Sequence, residues 1–423
     1  MQLKKQSYDT LPENGGGLCY TPELLSPAGS REQLEAAVRY GANAVYLGGN
    51  SLSLRSKSDG FSGSNLISAI DFAHAANVKV YYCINALPPE NFLPGVHDQL
   101  EFLADTQVDG IIAADPGVIR LARQICPDIE LHLSTQAHSV NSEAVSFWKE
   151  AGISRINLAR ELSFTDMQLI MGRHPEMDFE IFVHGAMCLS LSGHCLLSAW
   201  VNNRPANLGL CTQPCRFEYR GMQLSVEEKK RNGEKFFDIV QGENFSAIWA
   251  PMDLCLVRWL DKIVTLRPAA IKIEGRTKTG SYAALVTDVY RTALNEIKTA
   301  SRLHSADDFV EELLQCASRP LCSGFFFEKR VVEQHPNIRP LEIVAQIGTK
   351  NFEGSWNIRL KKRWDSGIPV RLVLPGMSRP EIPSGAYALE DTSGRTASLL
   401  HPGSQGMLRC EDNRITQGIY IMA

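Results

Sequence analysis

The chain predicts an α/β fold, a (β/α)8 TIM-like barrel followed by a small C-terminal β-barrel-like domain. Three observations carry this expectation. Short apolar runs alternate with stretches of helical spacing eight times between residues 22 and 300. Such alternation implies parallel strand pairing, and eight units usually take about 250 residues. No Gly-x-Gly-x-x-Gly turn follows the first run, so the dinucleotide signal of a doubly wound open sheet is missing. Beyond residue 341 the helical spacing stops, and short β-rich runs between Gly and Pro turns take over.

Residues 1–21 read as a lead-in, with loop composition in Glu13-Asn-Gly-Gly-Gly-Leu18. Glu23-Leu-Leu-Ser-Pro-Ala-Gly29 is the first strand and its turn. A helix follows from Arg31 to Tyr40, with Leu34, Ala37 and Val38 on one face and a stop at Gly41. Ala44–Gly49 is the second strand. Later strands fall near 78–86, 109–115, 129–137, 155–160, 178–186 and 269–275. Helices fall near 64–76, 95–107, 117–125, 142–151, 164–172, 254–266 and 280–298. A loop spans 186–252, far beyond the usual connection length, and such loops tend to be functional or disordered. Within it, Glu227–Lys235 reads as a solvated tip. Residues 301–340 read as a connector, and 341–423 as the β-rich domain.

Bulk properties narrow the class. At 423 residues the chain suits two domains, and 44% hydrophobic residues supply a large core. The net charge of −4 gives no general attraction to nucleic acid, so RNA contact has to come from local basic patches. Arg359-Leu-Lys-Lys-Arg-Trp364 mixes basic and aromatic residues as such a patch would, and an ordinary exposed strand and turn is the alternative. The N-terminus lacks an apolar signal core, and no apolar run is long enough to span a bilayer. The cytoplasm is the expected compartment, where thiols stay reduced.

The stretch from Glu180 to Tyr219 stands out. Four of the eleven cysteines, Cys188, Cys195, Cys211 and Cys215, lie in it. Four thiolates suit zinc or an iron–sulfur cluster. Only Cys211 and Cys215 show the tight spacing of a zinc ribbon, so the spread favours the larger cluster. Gly185, Gly193 and Gly209 would let the backbone approach a cofactor. Buried small hydrophobes and a disulfide are the alternatives. Cys255, expected at the start of the next helix, could replace one ligand.

Phe182-Val-His-Gly-Ala-Met-Cys188, Ser192-Gly-His-Cys195-Leu-Leu-Ser198 and Cys211-Thr-Gln-Pro-Cys215-Arg-Phe-Glu-Tyr219 resemble the signature of the U32 peptidase-like family. Ser53-Leu-Arg55, His132-Leu-Ser-Thr-Gln-Ala137, Ala159-Arg-Glu-Leu-Ser163 and Ile271-Lys-Ile-Glu-Gly-Arg-Thr-Lys278 are most similar to its prephenate-dependent branch, which hydroxylates the wobble uridine of tRNA. The likeness covers residues 22–300 and weakens beyond them. The segment Ala317–Phe326 resembles a weakened form of a family motif. The resemblance implies a barrel, oxygen-independent C5-hydroxylation of uridine, and a [4Fe-4S] cluster on the four cysteines. It also implies prephenate as hydroxyl donor and the tRNA anticodon loop as substrate; an electron-transfer partner would be a further requirement, which the sequence does not identify.

Chemistry in such a barrel sits at the carboxyl ends of the strands. Polar residues expected there are Glu23, Asn85, Asp115, Gln136, Arg160, Glu161, His184, Glu274 and Arg276. Glu274, Arg276 and His184 are the catalytic candidates; Arg55, Asn85, Gln136, Arg160 and Lys272 are the substrate-binding ones. Lys272, Glu274 and Arg276 share one side of the last strand, where internal ion pairing is the alternative. Guanidinium matches carboxylate in a two-pronged geometry, so Arg55, Arg160 and Arg276 suit a dicarboxylate such as prephenate. His184 could also be a satisfied core histidine. Two other functions stay open. One is a peptidase using Cys188 with His184, although the chain has no His-Glu-x-x-His helix and no Gly-x-Ser-x-Gly elbow. The other is a zinc-stabilised RNA-binding protein without catalysis.

Overall fold

The structure is a computed structural model. It describes residues 20–49, 52–53, 60–187, 195, 197–202, 204, 208, 210–216, 240–241, 246–247, 252–327, 331–333, 342–352 and 354–423. Arg55, Cys188, most of the expected lead-in and the Glu227–Lys235 tip lie outside the described residues.

Eight parallel strands close a barrel. They are β1 (Glu23–Pro27), β2 (Ala44–Gly48), β3 (Lys79–Ile84), β4 (Gly110–Ala113), β5 (Glu130–Leu133), β6 (Arg155–Asn157), β7 (Asp178–Ala186) and β8 (Ala270–Ile273). Neighbours in sequence pair in order, and β8 pairs with both β1 and β7. The runs are apolar because parallel strands are covered on both faces. Leu24, Val45, Val80, Ile111, Leu131, Ile156 and Ile271 face the helical layer. Leu25, Tyr46, Tyr81, Cys83 and Ile112 form a separate cluster inside the barrel.

Helices α1 (Arg31–Arg39), α2 (Gly63–His74), α3 (Leu93–Ala104), α4 (Pro116–Ile125), α5 (Ser142–Glu150), α6 (Phe164–Arg173), α7 (Leu260–Thr265) and α8 (Gly280–Ala300) cover it. Their starts follow local chemistry. The α6 start is a capping box between Ser163 and Asp166. Asp115 caps α4, its Oδ1 accepting the Gly117 and Val118 N–H groups at 2.8 and 3.0 Å. That capping role accounts for Asp115 without any part in a site.

Two expectations are corrected. Residues 254–266 are not one helix. Asp253–Cys255 is a strand antiparallel to β7, and only Leu260–Thr265 is α-helical. The segment expected as a connector holds a helix, α9 (Ala306–Cys316), and a strand, Leu321–Cys322, that joins the barrel sheet beside Asp253–Cys255.

From residue 342 the chain forms a curled antiparallel half-barrel. Its strands are β9 (Ile343–Phe352), β10 (Ser355–Leu360), β11 (Val370–Val373), β12 (Glu381–Ile382), β13 (Ala388–Glu390), β14 (Thr396–Ala397), β15 (Gln405–Arg409) and β16 (Tyr420–Met422). Their spatial order is β12-β11-β16-β9-β10-β15-β13-β14. Trp364 is fully buried among its core residues, with its indole N–H on the Tyr387 hydroxyl at 3.1 Å. Lys361 pairs with Glu32 of α1 at 2.8 Å, and Lys362 pairs with Glu342 at 2.8 Å. The Arg359–Trp364 stretch therefore offers no stacking ring, and both its lysines are engaged with carboxylates.

The half-barrel docks on α1, α8 and α9. Ala36, Tyr40, Ala283, Ala284, Val373, Tyr420 and Met422 form a shared apolar cluster. The Tyr40 hydroxyl donates to the Val373 carbonyl at 2.6 Å. Asp288 of α8 is the polar centre of the joint. It accepts the Gly376 and Met377 N–H groups at 2.6 and 3.0 Å, and pairs with Arg379 at 2.9 Å. Arg379 also reaches Glu312 of α9 at 2.8 Å. Removing one partner of a buried pair leaves a charge without compensation, at about 3–5 kcal/mol. Asp288→Ala is expected to lower the unfolding free energy by that amount in a denaturant titration, and Asp288→Asn by less. An unchanged midpoint for Asp288→Ala would contradict the role given to this joint.

Candidate active site

Charge along the barrel axis is arranged in layers. At the amino-terminal end Glu23 accepts from Arg155 and from the Tyr81 hydroxyl, each at 2.9 Å. This puts Glu23 at the end opposite the site and makes it structural. Midway, Lys272 donates to Glu180 Oε1 at 2.7 Å, and Asn157 donates to the same oxygen at 2.6 Å. Both charged residues are almost wholly buried.

The carboxyl-terminal end is different. The Arg276 guanidinium lies 5.6 Å from the Tyr46 ring centre, and Lys272 Nζ lies 4.4 Å from the same ring. Lys272 is also 5.4 Å from the Phe182 ring, and the Arg160 guanidinium sits 3.9 Å over that ring. Two rings and three cations thus form one connected group. Lys272 is neutralised by Glu180. Arg276 is 4% exposed, and its Nη1 has no hydrogen-bond partner among the described residues. Arg160 donates from Nη1 to the Ala186 carbonyl at 2.5 Å, while its buried Nε has no such partner. Unpaired buried donors are expensive, and two guanidinium groups suit an anion that completes them. Glu274 is buried in the same region, its Oε2 accepting the Ala186 N–H at 3.2 Å. Burial and then the Glu274 carboxylate push the Tyr46 hydroxyl far above its ordinary pKa. That hydroxyl stays protonated and donates to the Ile273 carbonyl at 2.9 Å.

Arg160, Lys272, Glu274 and Arg276 are brought together. Asn85 and Gln136 are brought to each other, Gln136 Nε2 donating to the Asn85 carbonyl at 2.8 Å and its Oε1 accepting from Ser134 at 3.0 Å. They brace the loops after β3 and β5. Glu161 has a buried Oε2 without a partner among the described residues.

His184 does not join them. The β7–β8 register shifts after Phe182–Lys272, so His184 pairs with Ile273, a residue of the outer core. The shift needs Gly185, whose φ of +115° disfavours a side chain and whose Cβ would stand 2.7 Å from the Glu274 carbonyl oxygen. His184 therefore packs against Tyr282 and Tyr290 of α8, with ring centres 6.1 and 5.6 Å away. Burial first, then the Lys278 cation, lowers its pKa to about 3. A histidine so placed and so weakly basic does not serve as the catalytic base expected of it. Cys255 is corrected likewise: it lies in a strand opposite His184, and burial pushes its thiol up to about 12.

Three of the four clustered cysteines are described, and each is half-buried. The segments that carry them are tied together. Ser198, three residues after Cys195, accepts the Thr212 N–H at 3.0 Å. Asn202 donates to the Thr212 hydroxyl at 2.7 Å. The Gln213 N–H donates to Cys211 Sγ at 3.3 Å. These residues fit a thiolate-held cofactor. The residues of this group that sequence reasoning missed are Tyr46 and Phe182. Their signal was the period of two, which puts Tyr46 and Phe182 on inward faces, Phe182 with Glu180.

Residues 29–336 match the sequence family described as Peptidase family U32. The chain belongs to that family. It is 36% identical over 332 residues to tRNA hydroxylation protein P1 of Bacillus subtilis (strain 168), covering 77% of each chain. It is 33% identical over 340 residues to tRNA hydroxylation protein P of Escherichia coli (strain K12), covering 72% of this chain and 74% of that one. A protein named collagenase from Porphyromonas gingivalis (strain ATCC BAA-308 / W83) is 29% identical over 330 residues, covering 74% and 75%. No helix among the described residues of this U32 member is long and apolar enough to cross a membrane.

The depressed His184 pKa has a pH consequence. Unfolding restores an ordinary value near 6.5, so the unfolded chain binds a proton that the folded chain refuses. Stability is complete above about pH 6.5 and falls as the pH drops toward 3. At pH 5 the loss from this group is about 2 kcal/mol. In His184→Gln, the drop in unfolding free energy from pH 7 to pH 5 is expected to shrink by about that much. An identical pH dependence in both proteins would rule this out.

Proposed function

We propose that this U32 protein is a tRNA-modifying enzyme that hydroxylates C5 of the wobble uridine without molecular oxygen, with prephenate as the hydroxyl donor. The observation that carries the reading is the buried Arg276 Nη1 without a hydrogen-bond partner among the described residues, together with Arg160, at the end of the barrel where β7 runs into the cysteine stretch. Two guanidinium groups suit the two carboxylates of prephenate. The relatives named for tRNA hydroxylation support the nucleic-acid substrate. A single-stranded anticodon loop, with its bases splayed, suits entry at a barrel mouth.

Cys188, Cys195, Cys211 and Cys215 would hold an iron–sulfur cluster. Only Cys211 and Cys215 have the tight spacing of a zinc ribbon, so the spread of the four favours a larger cofactor. Replacing C5–H by C5–OH is a two-electron oxidation of the base. Breaking the donor's ring C–O bond, with loss of its ring carboxylate as CO2, leaves an aromatic acid and delivers the hydroxyl at the oxidation level of water, so the C5 proton and two electrons of the uridine remain to be removed. A cluster supplies that electron transfer when bound, and an electron-accepting protein partner would complete it. Arg160 and Arg276 bind and orient the donor. The buried Lys272–Glu180 pair beneath keeps the floor dry and fixes the Tyr46 and Phe182 rings. The peptidase alternative needs a basic His184 near Cys188, and the outward turn and burial of His184 speak against it.

Anaerobically purified protein is expected to contain about four iron and four sulfide per chain, lost in Cys211→Ala. It is expected to hydroxylate the wobble uridine only when prephenate is supplied, and Arg276→Ala is expected to lower activity at least a hundredfold. Stoichiometric zinc without iron, or hydroxylation indifferent to prephenate, would overturn the reading.

A further inference from the structure

We propose that Phe325 is a stacking platform for a nucleobase of the tRNA loop that enters the barrel mouth. The proposal rests on the nucleic-acid substrate of the reading above and names a residue that holds it. Phe325 lies in the Ala317–Phe326 segment, which the donor site does not use. Its ring is 46% exposed, while Ser323 and Phe326 on either side are buried. A tight turn fixes its place. The Phe326 N–H donates to the Ser323 carbonyl at 3.1 Å, closing the turn over Gly324 and Phe325. Gly324 takes a φ of +58°, and a Cβ there would stand 2.9 Å from Leu254 Cδ1, so this corner requires glycine. The Ser323 N–H donates to the Val331 carbonyl at 2.9 Å, and the Ser323 hydroxyl accepts the Val331 N–H at 3.0 Å. The Phe326 ring packs on Phe164 and Phe327, with ring centres 5.3 and 4.9 Å away.

The turn stands at the carboxyl-terminal end of the barrel. Leu321–Cys322 runs beside Asp253–Cys255, and Asp253 pairs with Ala186 at the end of β7. On the other side, the Phe326 carbonyl accepts the N–H of Phe164, the first residue of α6, at 3.1 Å. Phe325 is thus held between the exits of β6 and β7, and it lines one crevice with Arg160 and Phe182. That crevice measures about 10 Å³, room for about one water and not for a base. A base therefore has to lie on the exposed face of the ring. A phenyl ring has no hydrogen bond to offer a phosphate or a carboxylate. What it offers is a flat π-face, on which any base stacks. Bases are splayed out in a single-stranded loop and covered by their neighbours in a duplex. The Arg160 cation on the same crevice complements a polyanion, and a base on Phe325 would lie next to the residue assigned to the hydroxyl donor.

The test uses the cluster-loaded full chain and a labelled anticodon stem-loop RNA, with binding read by fluorescence anisotropy. Phe325→Ala is expected to weaken binding about five- to a hundredfold and to raise KM for tRNA alike, with KM for prephenate unchanged. Phe325→Trp keeps a π-face and is expected to bind at least as tightly as wild type. Phe325→Leu keeps only apolar area and is expected to follow alanine. The lost contact is not ionic, so the slope of log Kd against log salt should be the same in all four proteins. The stem duplex without its loop should bind wild type and Phe325→Ala equally. Melting temperatures near that of wild type exclude misfolding. Unchanged loop affinity in Phe325→Ala, while wild type hydroxylates tRNA, would overturn the platform, leave the proposed function standing and point to a protein as the occupant of this surface. Affinity restored by leucine, a duplex that tells the two proteins apart, or a rise in KM for prephenate instead of tRNA would overturn it as well. Loop binding weakened by Phe325→Ala in a protein that hydroxylates nothing would support the platform and reject the function.

Discussion

The buried pair between Lys272 and Glu180 is the constraint on which the barrel end depends. Each residue is at most 3% exposed, and they meet at 2.7 Å. An ion pair taken out of water gains little net stability, so the pair is maintained by geometry. Lys272 and Glu180 face each other because β8 closes onto β7, and only a closed barrel puts those strands side by side. Asn157 on β6 then fixes the shared oxygen. The pair cancels its own charge while holding Tyr46 and Phe182 on either side of the ammonium group. The cations above it, Arg160 and Arg276, are left without ion-pair partners among the described residues.

The eight units were legible because each strand is a short apolar run and each helix carries its own spacing and cap. Strand ends were less legible. The ladder stops at Ala113, Leu133, Asn157 and Ile273, whereas the sequence suggested longer strands. Polar residues just past those points read as strand ends but sit in turns, where Asp115 caps a helix and Gln136 braces a loop. His184 was misread for a different reason. Alternation along Glu180 and Phe182 points it inward, and the bulge that turns it outward is set by a partner strand some ninety residues away. Gly185 was the one local hint. The Asp253–Cys255 strand was hidden in the same way, since it exists only because β7 continues past the barrel and finds a partner there.

The Arg359–Trp364 patch shows the limit of composition. Its basic and aromatic content is what an RNA surface needs, but the tertiary structure uses it otherwise. Lys361 joins the half-barrel to Glu32 on α1, and Trp364 fills the half-barrel core. Three of the candidate arginines and lysines, by contrast, come from neighbouring segments: Lys272 points inward from β8, Arg276 lies in the turn just beyond it, and Arg160 follows β6.

The end of β7 also links the anion site to the cysteines. One residue, Ala186, carries both connections: its N–H donates to Glu274 and its carbonyl accepts from Arg160. Two positions later comes Cys188. The side chains that surround a bound acid therefore also hold the chain that leads into the cysteine stretch. Arg160 can serve both ends, because a guanidinium has five N–H donors in a fixed plane. Nη1 is committed to Ala186, and the buried Nε remains for the ligand. A lysine at this position would keep the charge but not the plane, and would have to choose between the carbonyl and the acid. The rigidity of the fork is thus what would let one residue bind the proposed acid without loosening its hold on the end of β7.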